Sequence, residues 1–395
     1  MVTRTVVLAG AVRTPIGKFG GVLTSKSAAE LGEVAARGAL QKARVPPDAV
    51  DEVIFGNARQ AGVRPNVARQ VGYRSGLPVF VPAYTINKAC GSSLKAIVNA
   101  YGAIALGDAE VVLAGGTESM SNTPYLLTGA RWGYRLGNTE VVDGMYRDGF
   151  LCPLSDQLMG ETAENLVDRY GITREESDRY AAESQRRAEI ARKAGRFEDE
   201  VVPVEVLGRK GETFVVRDDE HPRDGVTAAS LAKLPPVFRE KGTVHAGNSS
   251  GITDGAAALL VLSEEKAHAL GVEPLARIAG YASAGVDPAV MGIGPVRAVQ
   301  KLLSKTGLAL ADVDLIELNE AFASQVLACQ RELGLDLERV NVNGGAIALG
   351  HPIGATGARI VVTLLHEMKK RRAKRGIATL CISGGMGLAL LVEAI

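Results

Sequence analysis

The amino-acid sequence predicts an α/β protein made of two similar halves, with a long loop-rich segment inserted in the first half. Short apolar strands alternate with helical periodicity over the first 120 residues and again after Gly251, a pattern typical of a mostly parallel sheet covered on both faces by helices. The second stretch repeats the order of the first at an offset of about 260 residues. Between them, residues 121–250 are rich in Gly, Pro, Asn and Arg.

Length and composition exclude several classes of protein. The 395 residues are 46% hydrophobic and only 5% aromatic, with 46 glycines, which suits a tightly packed α/β protein rather than a disordered or fibrous one. The 45 basic and 44 acidic residues give a net charge of +1, so no global field indicates a nucleic-acid or membrane partner. Because we find neither a signal-peptide pattern nor a membrane-spanning apolar run, we expect a cytoplasmic protein.

The four cysteines, Cys90, Cys152, Cys329 and Cys381, are widely spaced, and no CxxC pair occurs. This arrangement argues against disulfide bonds and against a structural zinc site. We therefore expect free thiols in a reducing compartment and no metal.

The elements of the first half follow from local patterns. Strands are predicted at residues 6–10, 53–56 and 111–116, where short apolar runs are bounded by turn residues. Ser27 and Glu30 form a capping-box pattern ahead of apolar residues at helical spacing. A second helix is predicted around residues 67–71.

Cys90 lies on a predicted strand-to-helix turn, residues 86–94. Small residues follow it, and helical spacing then begins at Leu94. A thiolate at a helix N-terminus has a lowered pKa and lies beside N–H groups that can hold an oxyanion. Taken alone, such a cysteine is more often a buried, inert residue of a βα junction.

The inserted segment is predicted to be a lid with one long polar helix. Thr173 and Glu176 form its capping box, its body runs to Arg192, and Gly195 ends it. Its charged residues are most simply a solvated face: Arg174, Glu175, Arg186, Arg187, Glu189 and Arg192. Loops of this length in a compact protein are usually functional.

The second half carries turns that correspond to those of the first. The strand at residues 378–385 matches 111–116, and the turn at His351 matches the turn at Cys90. Corresponding turns of two packed halves meet at the junction, where pockets tend to form. Cys90 and His351 in one pocket would be a nucleophile with its base.

Three further features are ambiguous in isolation. His351 lies in a glycine-rich turn, residues 343–357, that fits neither a P-loop nor a dinucleotide fingerprint, and a lone histidine is more often structural than catalytic. Asn319 follows an apolar strand, and Cys381 ends another before a glycine turn, both of which ordinary turn chemistry explains. Their matching positions in a duplicated fold favour one site.

These motifs together resemble the thiolase family, and within it the acetyl-CoA C-acetyltransferases. The resemblance covers essentially the whole chain and is carried by eight segments: residues 12–21, 87–93 (NKACGSS), 115–120 (GGTESM), 159–165, 242–257, 319–322 (NEAF), 344–354 (GGAIALGHPIG) and 381–387 (CISGGMG).

The resemblance implies a reversible Claisen condensation of two acetyl-CoA molecules to acetoacetyl-CoA and CoA. Cys90, with His351 as its base, would take the acetyl group. Cys381 would remove the α-proton of the second acetyl-CoA. Asn319, through a water, and His351 would hold the thioester oxygen, and the N–H groups of Cys90 and Ser383 would form the other oxyanion hole.

The resemblance also assigns the coenzyme A contacts, and no cofactor is implied because coenzyme A thioesters are substrates. The implied CoA-binding and acyl-end residues are Arg223, Leu234, Phe238, Ser250, Met159, Met291 and Phe322. Core packing is the alternative role for the apolar members of this set. The basic run at residues 369–375 could bind phosphate, but a solvated helix C-terminus explains it more simply.

For the fold, the resemblance implies two duplicated mixed-sheet halves packed as a five-layered α-β-α-β-α body. Residues 1–120 with 251–272 would form the first half, 121–250 the loop domain that binds CoA, and 273–395 the second half. A homo-oligomer is implied, either a dimer joined through the α/β bodies or a tetramer with added contacts from residues 121–148.

Three residues depart from the family pattern, and alternatives remain open. Ser383 replaces a glycine, which would strain the turn if it needed positive φ. Leu158 stands where short-chain members often carry His, and His245 replaces the usual Thr, which we interpret as a surface change.

A degradative 3-ketoacyl-CoA thiolase of fatty acid β-oxidation is the nearest alternative. A decarboxylating ketoacyl synthase would carry a second His in place of Cys381, and a noncatalytic CoA- or lipid-binding module would not need the full site.

Overall fold

The computed structural model describes residues 4–208 and 211–395. The helices are α1 (Ala28–Ala43), α2 (Val67–Arg74), α3 (Ser92–Leu106), α4 (Met159–Tyr170), α5 (Arg174–Lys193), α6 (Ala228–Leu231), α7 (Glu264–Ala269), α8 (Gly294–Thr306), α9 (Ala323–Leu333), α10 (Ala346–Leu349) and α11 (Ile353–Arg371). The strands are β1 (Val6–Arg13), β2 (Gly17–Lys18), β3 (Glu52–Gly56), β4 (Ala83–Ile86), β5 (Val111–Ser119), β6 (Tyr125–Leu126), β7 (Val142–Asp143), β8 (Leu151–Cys152), β9 (Gln157–Leu158), β10 (Val204–Leu207), β11 (Thr213–Val216), β12 (Thr253–Ser263), β13 (Ala276–Gly285), β14 (Leu315–Leu318), β15 (Arg375–Ile382) and β16 (Met386–Glu393).

One large sheet runs through both halves in the order β14-β15-β16-β13-β1-β12-β5-β3-β4. The halves join where β1 pairs with β13, with Leu8 opposite Ala276. Only β3–β4, β3–β5 and β14–β15 are parallel pairs along this order. The mostly parallel sheet predicted from the alternation of strands and helices is therefore wrong, and the mixed sheet implied by the family resemblance is confirmed. The sheet is mixed because β16 returns from β15 through a tight turn and β12 re-enters antiparallel to β5 after the insertion.

The strand order confirms that the two halves are duplicates. In the first half the strands follow the chain as β1, β3, β4, β5, β12 and lie side by side as β1-β12-β5-β3-β4. The second half places β13, β16, β15 and β14 in the same relative order. A bridge between Ile316 and Val340 stands where the first half has the β3–β4 pair.

The predicted five layers are also confirmed. Helices α1 and α2 cover the first half of the sheet, α8 covers the second half, and α3 and α11 pack between the two. The largest buried cluster lies in this middle layer, with Leu94 and Ile97 from α3 against Ile360 and Leu364 from α11. Separate clusters lie beneath the two outer layers. Because both middle helices are enclosed by sheet, their N-termini are held rigidly at the junction of the halves.

The segment at residues 121–250 contains more regular structure than predicted. Helix α5 is capped by Thr173 and Glu176 as expected, but α4 precedes it and two-stranded ribbons surround it. The N-terminus of α4 is hard to predict because its N-cap residue, Leu158, has no side-chain oxygen to accept a backbone N–H.

The charges of α5 form a solvated face only in part. Glu175 and Arg186 are exposed, as predicted. Arg187 is largely buried and donates hydrogen bonds of 2.8 and 2.9 Å to the carbonyl oxygens of Leu337 and Val340. Its prediction as a surface charge is wrong, because it ties α5 to the second half.

Among the described residues, none of the helices combines the length and apolar character that crossing a membrane requires.

Two glycines allow helices and sheet to approach closely at the junction. Gly56 and Gly116 are register partners in β3 and β5. A Cβ at Gly56 would collide with the backbone nitrogen of Ser93, and one at Gly116 would collide with the carbonyl oxygen of Gly354. Ser93 is in the first turn of α3 and Gly354 is in the first turn of α11, so these glycines bring both helix N-termini to one place.

We expect Gly116→Ala to destabilise the fold by about 2 kcal/mol or more, because the added methyl group meets backbone that has little room to move. The matched control is Gly102→Ala in the interior of α3, where an added Cβ meets nothing within 4 Å and should stabilise by about 1 kcal/mol. The midpoint of urea unfolding, followed by circular dichroism, measures both. A Gly116→Ala protein as stable as the parent would show that the helix ends can shift aside.

Candidate functional site

Four of the five predicted catalytic residues line one cavity of about 210 Å³: Cys90, His351, Cys381 and Ser383. The fifth, Asn319, is fully buried beside it. The amide nitrogen of Asn319 lies 3.5 Å from Nε2 of His351. The structure therefore brings all five residues together at the junction of the halves.

Cys90 is presented on a tightly held turn before α3. The preceding residue, Ala89, has a left-handed backbone with φ of 44°, which is strained for a residue with a side chain. The hydroxyl of Ser92 fixes this turn, since it accepts from the N–H of Lys88 and donates to the carbonyl of Ala89, at 2.9 and 2.6 Å. The turn directs the sulfur of Cys90 into the cavity.

The electrostatic environment of Cys90 differs from the prediction. Burial raises the pKa of the Cys90 thiol, and the guanidinium of Arg59 and the N–H groups of Ser383 and Cys90 oppose that effect. Glu118 adds a smaller effect that raises the pKa. The predicted lowering of the pKa at the helix N-terminus is therefore outweighed by desolvation, and the free thiol is neutral at rest.

The hydrogen bonds of His351 define its tautomer. Nδ1 lies 2.6 Å from the hydroxyl oxygen of Thr356, and that hydroxyl lies 3.0 Å from the carbonyl of Pro352. The hydroxyl donates to the carbonyl, so it accepts from an Nδ1–H, and Nε2 is left without a proton. Burial, with Arg359 and Arg59, lowers the pKa of His351 to about 3. The ring is thus a neutral imidazole with Nε2 free to accept a proton.

Cys381 ends β15 deep in the cavity wall, with only 1% of its surface exposed. Burial raises its pKa well above the usual value, and Cys90 and Cys329 raise it further. Both cavity thiols therefore carry their protons in the resting site.

Asn319 is fixed by its backbone, which donates to the carbonyl of Thr379 at 3.0 Å. Its side-chain oxygen is buried and has no hydrogen-bond partner within residues 4–208 and 211–395. A buried amide oxygen without a partner is costly in an apolar interior. It therefore marks a position suited to a bound water or a substrate atom.

Ser383 does not strain the turn that it occupies. Its φ is not in the left-handed region, whereas Gly384 and Gly385 have φ of 86° and 83°. The positive φ angles that the turn needs thus fall on the two glycines. The concern that serine at this position would distort the turn is not supported.

Five of the seven predicted substrate-binding residues line the cavity: Met159, Phe238, Ser250, Met291 and Phe322. The other two do not. Arg223 is exposed, and Leu234 packs with Ala181 and Leu231 in a small separate core. The basic run at the end of α11 also lies outside the cavity lining.

Two other residues differ from the family pattern, Leu158 and His245. Leu158 lines the cavity, and His245 does not. The interpretation of His245 as a surface change is wrong, because its side chain is fully buried. Its Nε2 lies 2.7 Å from a carboxylate oxygen of Asp178, and its Nδ1 accepts from the N–H of Gly247 at 3.0 Å. Burial lowers the pKa of His245, and Asp178 opposes this. It ties the loop that precedes Ser250 to α5.

Sequence reasoning missed three residues that hold the site: Thr356, Arg59 and Glu118. Thr356 orients His351, as described above, and Arg59 lines the cavity. Glu118 accepts hydrogen bonds from the N–H groups of Ala58, Arg59 and Gly354 at 2.8 to 3.1 Å. In the sequence Glu118 ends an apolar strand within the family-like segment 115–120, and neither feature indicates that the carboxylate is buried.

The chain is similar to known proteins over nearly its whole length. Residues 6–265 match the family model of the thiolase N-terminal domain, and residues 272–394 match that of the thiolase C-terminal domain. The acetyl-CoA acetyltransferase of Pseudomonas aeruginosa is 56% identical over 385 residues, which cover 98% of each chain.

Two solved structures are also closely similar. The Bacillus anthracis acetyl-CoA acetyltransferase superposes with a TM-score of 0.97 at 49% identity, covering 100% of this chain and 99% of the other. Human mitochondrial 3-ketoacyl-CoA thiolase superposes with a TM-score of 0.97 at 46% identity, covering 100% of both chains.

The geometry around His351 predicts a ring that stays neutral where an ordinary histidine gains a proton. In long-range ¹H–¹⁵N correlation spectra of histidine-labelled protein, we expect a protonated Nδ1 and a bare Nε2 from about pH 8 to about pH 5. The unfolded chain takes up this proton below about pH 6.5, so the contribution of His351 to stability falls as the pH decreases from there towards the folded pKa of about 3. The chain has five histidines, and the signal missing from a His351→Gln variant assigns the ring. Titration near pH 6.5 would contradict the prediction.

Proposed function

The chain belongs to the thiolase family of acyltransferases, and we propose that it is an acetyl-CoA C-acetyltransferase, which reversibly condenses two acetyl-CoA molecules to acetoacetyl-CoA and CoA. The observation that carries the proposal is one cavity lined by two thiols and by an imidazole with a free Nε2. The name shared by relatives at 53% to 56% identity, such as those of Pseudomonas aeruginosa and Cupriavidus necator, supports the acetyl specificity.

In the first half-reaction, we propose that Nε2 of His351 accepts the proton of Cys90 as the sulfur attacks the thioester carbonyl. The carbonyl π electrons move to oxygen, and they return as the carbon–sulfur bond to CoA breaks. The departing CoA sulfur takes the proton from the imidazolium, so the acetyl group ends on Cys90. The N–H groups of Cys90 and Ser383 both lower the pKa of the Cys90 thiol and so favour its ionised form, which supports their proposed role as donors to the nearby oxyanion.

In the second half-reaction, Cys381 first loses its own proton to solvent and then, as the thiolate, removes the α-proton of the second acetyl-CoA. The resulting carbanion attacks the carbonyl carbon of the acetyl group, whose π electrons move to oxygen and return as the bond to the Cys90 sulfur breaks. Acetoacetyl-CoA is released, and the Cys90 thiolate takes up a proton from solvent. The neighbouring Cys90 raises the pKa of Cys381 in the free site. Acetylation removes the ionisable proton of Cys90, so Cys381 can ionise without any possibility of a second thiolate beside it in the cavity. The electrostatic coupling of the thiols thus favours the ordered sequence of the two steps.

We propose that Asn319 and His351 hold the thioester oxygen of the second substrate. The buried amide of Asn319 has an unused oxygen acceptor, which suits a water that in turn donates to the substrate. The hydroxyl of Thr356 can donate or accept, so the His351 ring can present Nε2 as the base for Cys90 and, with its tautomer exchanged, as a donor to the enolate oxygen.

We also propose that residues 121–250 are the loop domain that binds CoA, inserted between residues 1–120 and 251–272 of the first half, with 273–395 as the second half. The insertion contributes Met159, Phe238 and Ser250 to the cavity, and the second half contributes Met291 and Phe322. The exposed position of Arg223 leaves its guanidinium available to the nucleotide end of CoA.

A homo-oligomer, dimer or tetramer, is part of the proposal. Strand β4 is a free edge of the sheet within the described chain, and near it Val79 and Phe80 are 69% and 77% exposed. Trp132 and Leu136 of the insertion are 87% and 100% exposed. Exposed apolar side chains and open strand edges typically mark subunit interfaces, and light scattering measures the assembly directly.

The four free cysteines support a cytoplasmic location.

Intact-protein mass spectrometry after brief exposure to acetyl-CoA tests the proposed chemistry. We expect the mass increase of one acetyl group, mapped to Cys90, and no increase for Cys90→Ala, whose exchange between acetyl-CoA and CoA should fall by at least about 10³-fold. Cys381→Ala should still be acetylated, while its condensation rate falls by about 10²-fold or more.

The control for both variants is Cys329→Ala, which removes a buried thiol outside the cavity and should retain acetylation of Cys90. Because Cys329 raises the pKa of Cys381, its removal should not slow condensation. Tight CoA binding without any adduct on the unaltered protein would favour the noncatalytic binding module. Condensation that survives in Cys381→Ala would assign the second base elsewhere.

Acyl chain length separates the proposed activity from a degradative 3-ketoacyl-CoA thiolase. Leu158 adds an apolar wall to the cavity, so we expect thiolysis of the C4 substrate to be fastest and Leu158→Ala to improve kcat/KM for C8 and C10 3-ketoacyl-CoAs by about tenfold. The matched control, Leu154→Ala, alters an exposed leucine. Initial rates from C4 to C16 measure this, and a tenfold or greater preference of the unaltered enzyme for long chains would overturn the short-chain assignment.

A further inference from the structure

Arg59 introduces a full positive charge into a cavity that is otherwise lined mainly by apolar side chains. It follows β3, lines the cavity together with Cys90 and His351, and only 6% of its surface is exposed. The acetyl-transfer steps described above assign this arginine no role.

The guanidinium of Arg59 is poorly paired. Its Nη1 donates one long hydrogen bond of 3.4 Å to the carbonyl oxygen of Asp148, and the group stacks over the ring of Phe150 with its central carbon 5.9 Å from the ring centroid. Its Nε has no hydrogen-bond partner in the described parts of the chain. The buried carboxylate that its charge acts on, that of Glu118, accepts from backbone N–H groups and from Asn57, and the guanidinium donates no hydrogen bond to it. A buried and poorly paired charge lowers the stability of the fold unless it interacts with a group of opposite charge.

The backbone of Arg59 is nevertheless held firmly. Its N–H donates to a carboxylate oxygen of Glu118 at 3.1 Å, and the neighbouring N–H of Ala58 donates to the other oxygen at 3.1 Å. Gly149 packs against the guanidinium, and a Cβ there would lie 2.5 Å from Nη2. The fold therefore directs the Arg59 side chain into the cavity, and the lack of a side chain at Gly149 leaves room for its guanidinium.

We propose that the guanidinium of Arg59 is the cation that stabilises the ionised, nucleophilic sulfur of Cys90 as its proton leaves for Nε2 of His351. The role assigned to the sulfur rests on the proposed function. Arg59 would act through its effect on the charge of the Cys90 sulfur, so it is a positioning residue rather than a catalytic residue.

The charges around Cys90 favour this assignment. Of the two charged side chains that act on the pKa of Cys90, Arg59 lowers it and Glu118 raises it. His351 is neutral, its pKa depressed by burial, Arg359 and Arg59, and the thiol of Cys381 retains its proton. Arg59 is therefore the cation that offsets the desolvation of the Cys90 thiolate.

The test measures the ionisation of Cys90 directly and needs no acetyl transfer. The rate of iodoacetamide alkylation at Cys90 is followed against pH, with the modified peptide identified by mass spectrometry. Arg59→Met should move the midpoint upward by about one pH unit or more, which is about a tenfold loss of rate below the midpoint. Arg59→Lys, which keeps the charge, should recover most of that loss.

Two further variants keep the test decisive. Arg59→Gln keeps a donor for the carbonyl of Asp148 without the charge, so it should behave like Arg59→Met and replaces it if the apolar variant does not fold. Arg147→Met removes an equal charge from an exposed site on the adjacent loop and should leave the midpoint unchanged.

An unchanged midpoint in both uncharged variants, or a shift that Arg59→Lys fails to reduce, would overturn the inference. The failure of the proposed function is a different result, because an enzyme that does not transfer acetyl groups would still report the ionisation of Cys90 through alkylation.

Discussion

The arrangement of the site depends on one buried carboxylate, that of Glu118. It ends a central strand of the first half and accepts hydrogen bonds from Asn57, Ala58 and Arg59 in its own half and from the N–H of Gly354 in the other. Gly354 begins the helix that immediately follows His351. One side chain thus couples the cavity arginine of the first half to the imidazole of the second, and burial, which raises the pKa of Glu118, makes each of these hydrogen bonds strong.

A second buried carboxylate, Glu320, plays a comparable role in the other half. It accepts from the hydroxyls of Tyr180 and Ser184 on α5, at 2.8 and 2.7 Å, and from Asn341 and the N–H of Ile347. Glu320 follows Asn319 directly, so the insertion is anchored at the residue next to the amide that faces His351. The duplicated halves and the inserted segment meet through these two glutamates, which explains how turns distant in sequence can hold a site to within fractions of an ångström.

The two halves and the meeting of Cys90 with His351 could be predicted from hydrophobic periodicity and an internal repeat, both of which can be seen in the sequence itself. The five layers were implied only by the resemblance to the thiolase family. The antiparallel strand pairs could not be predicted from these local patterns, since the antiparallel return of β12 depends on a path through the insertion. Arg59 and His245 were also beyond sequence reasoning. Their importance comes from burial, and burial of a polar side chain is decided by the partner that another segment supplies.

The continuity of the sheet from β14 to β4 has a mechanical consequence. Enzymes that close around a substrate usually rotate two lobes about a few flexible residues. Here the two residue pairs between β1 and β13 and the packed middle pair of helices join the lobes, so a rotation of one lobe against the other would have to disrupt packed structure beneath the site. Any gating of the cavity therefore falls to the short ribbons and loops of the insertion, and the reacting groups keep their mutual positions while substrates enter and leave.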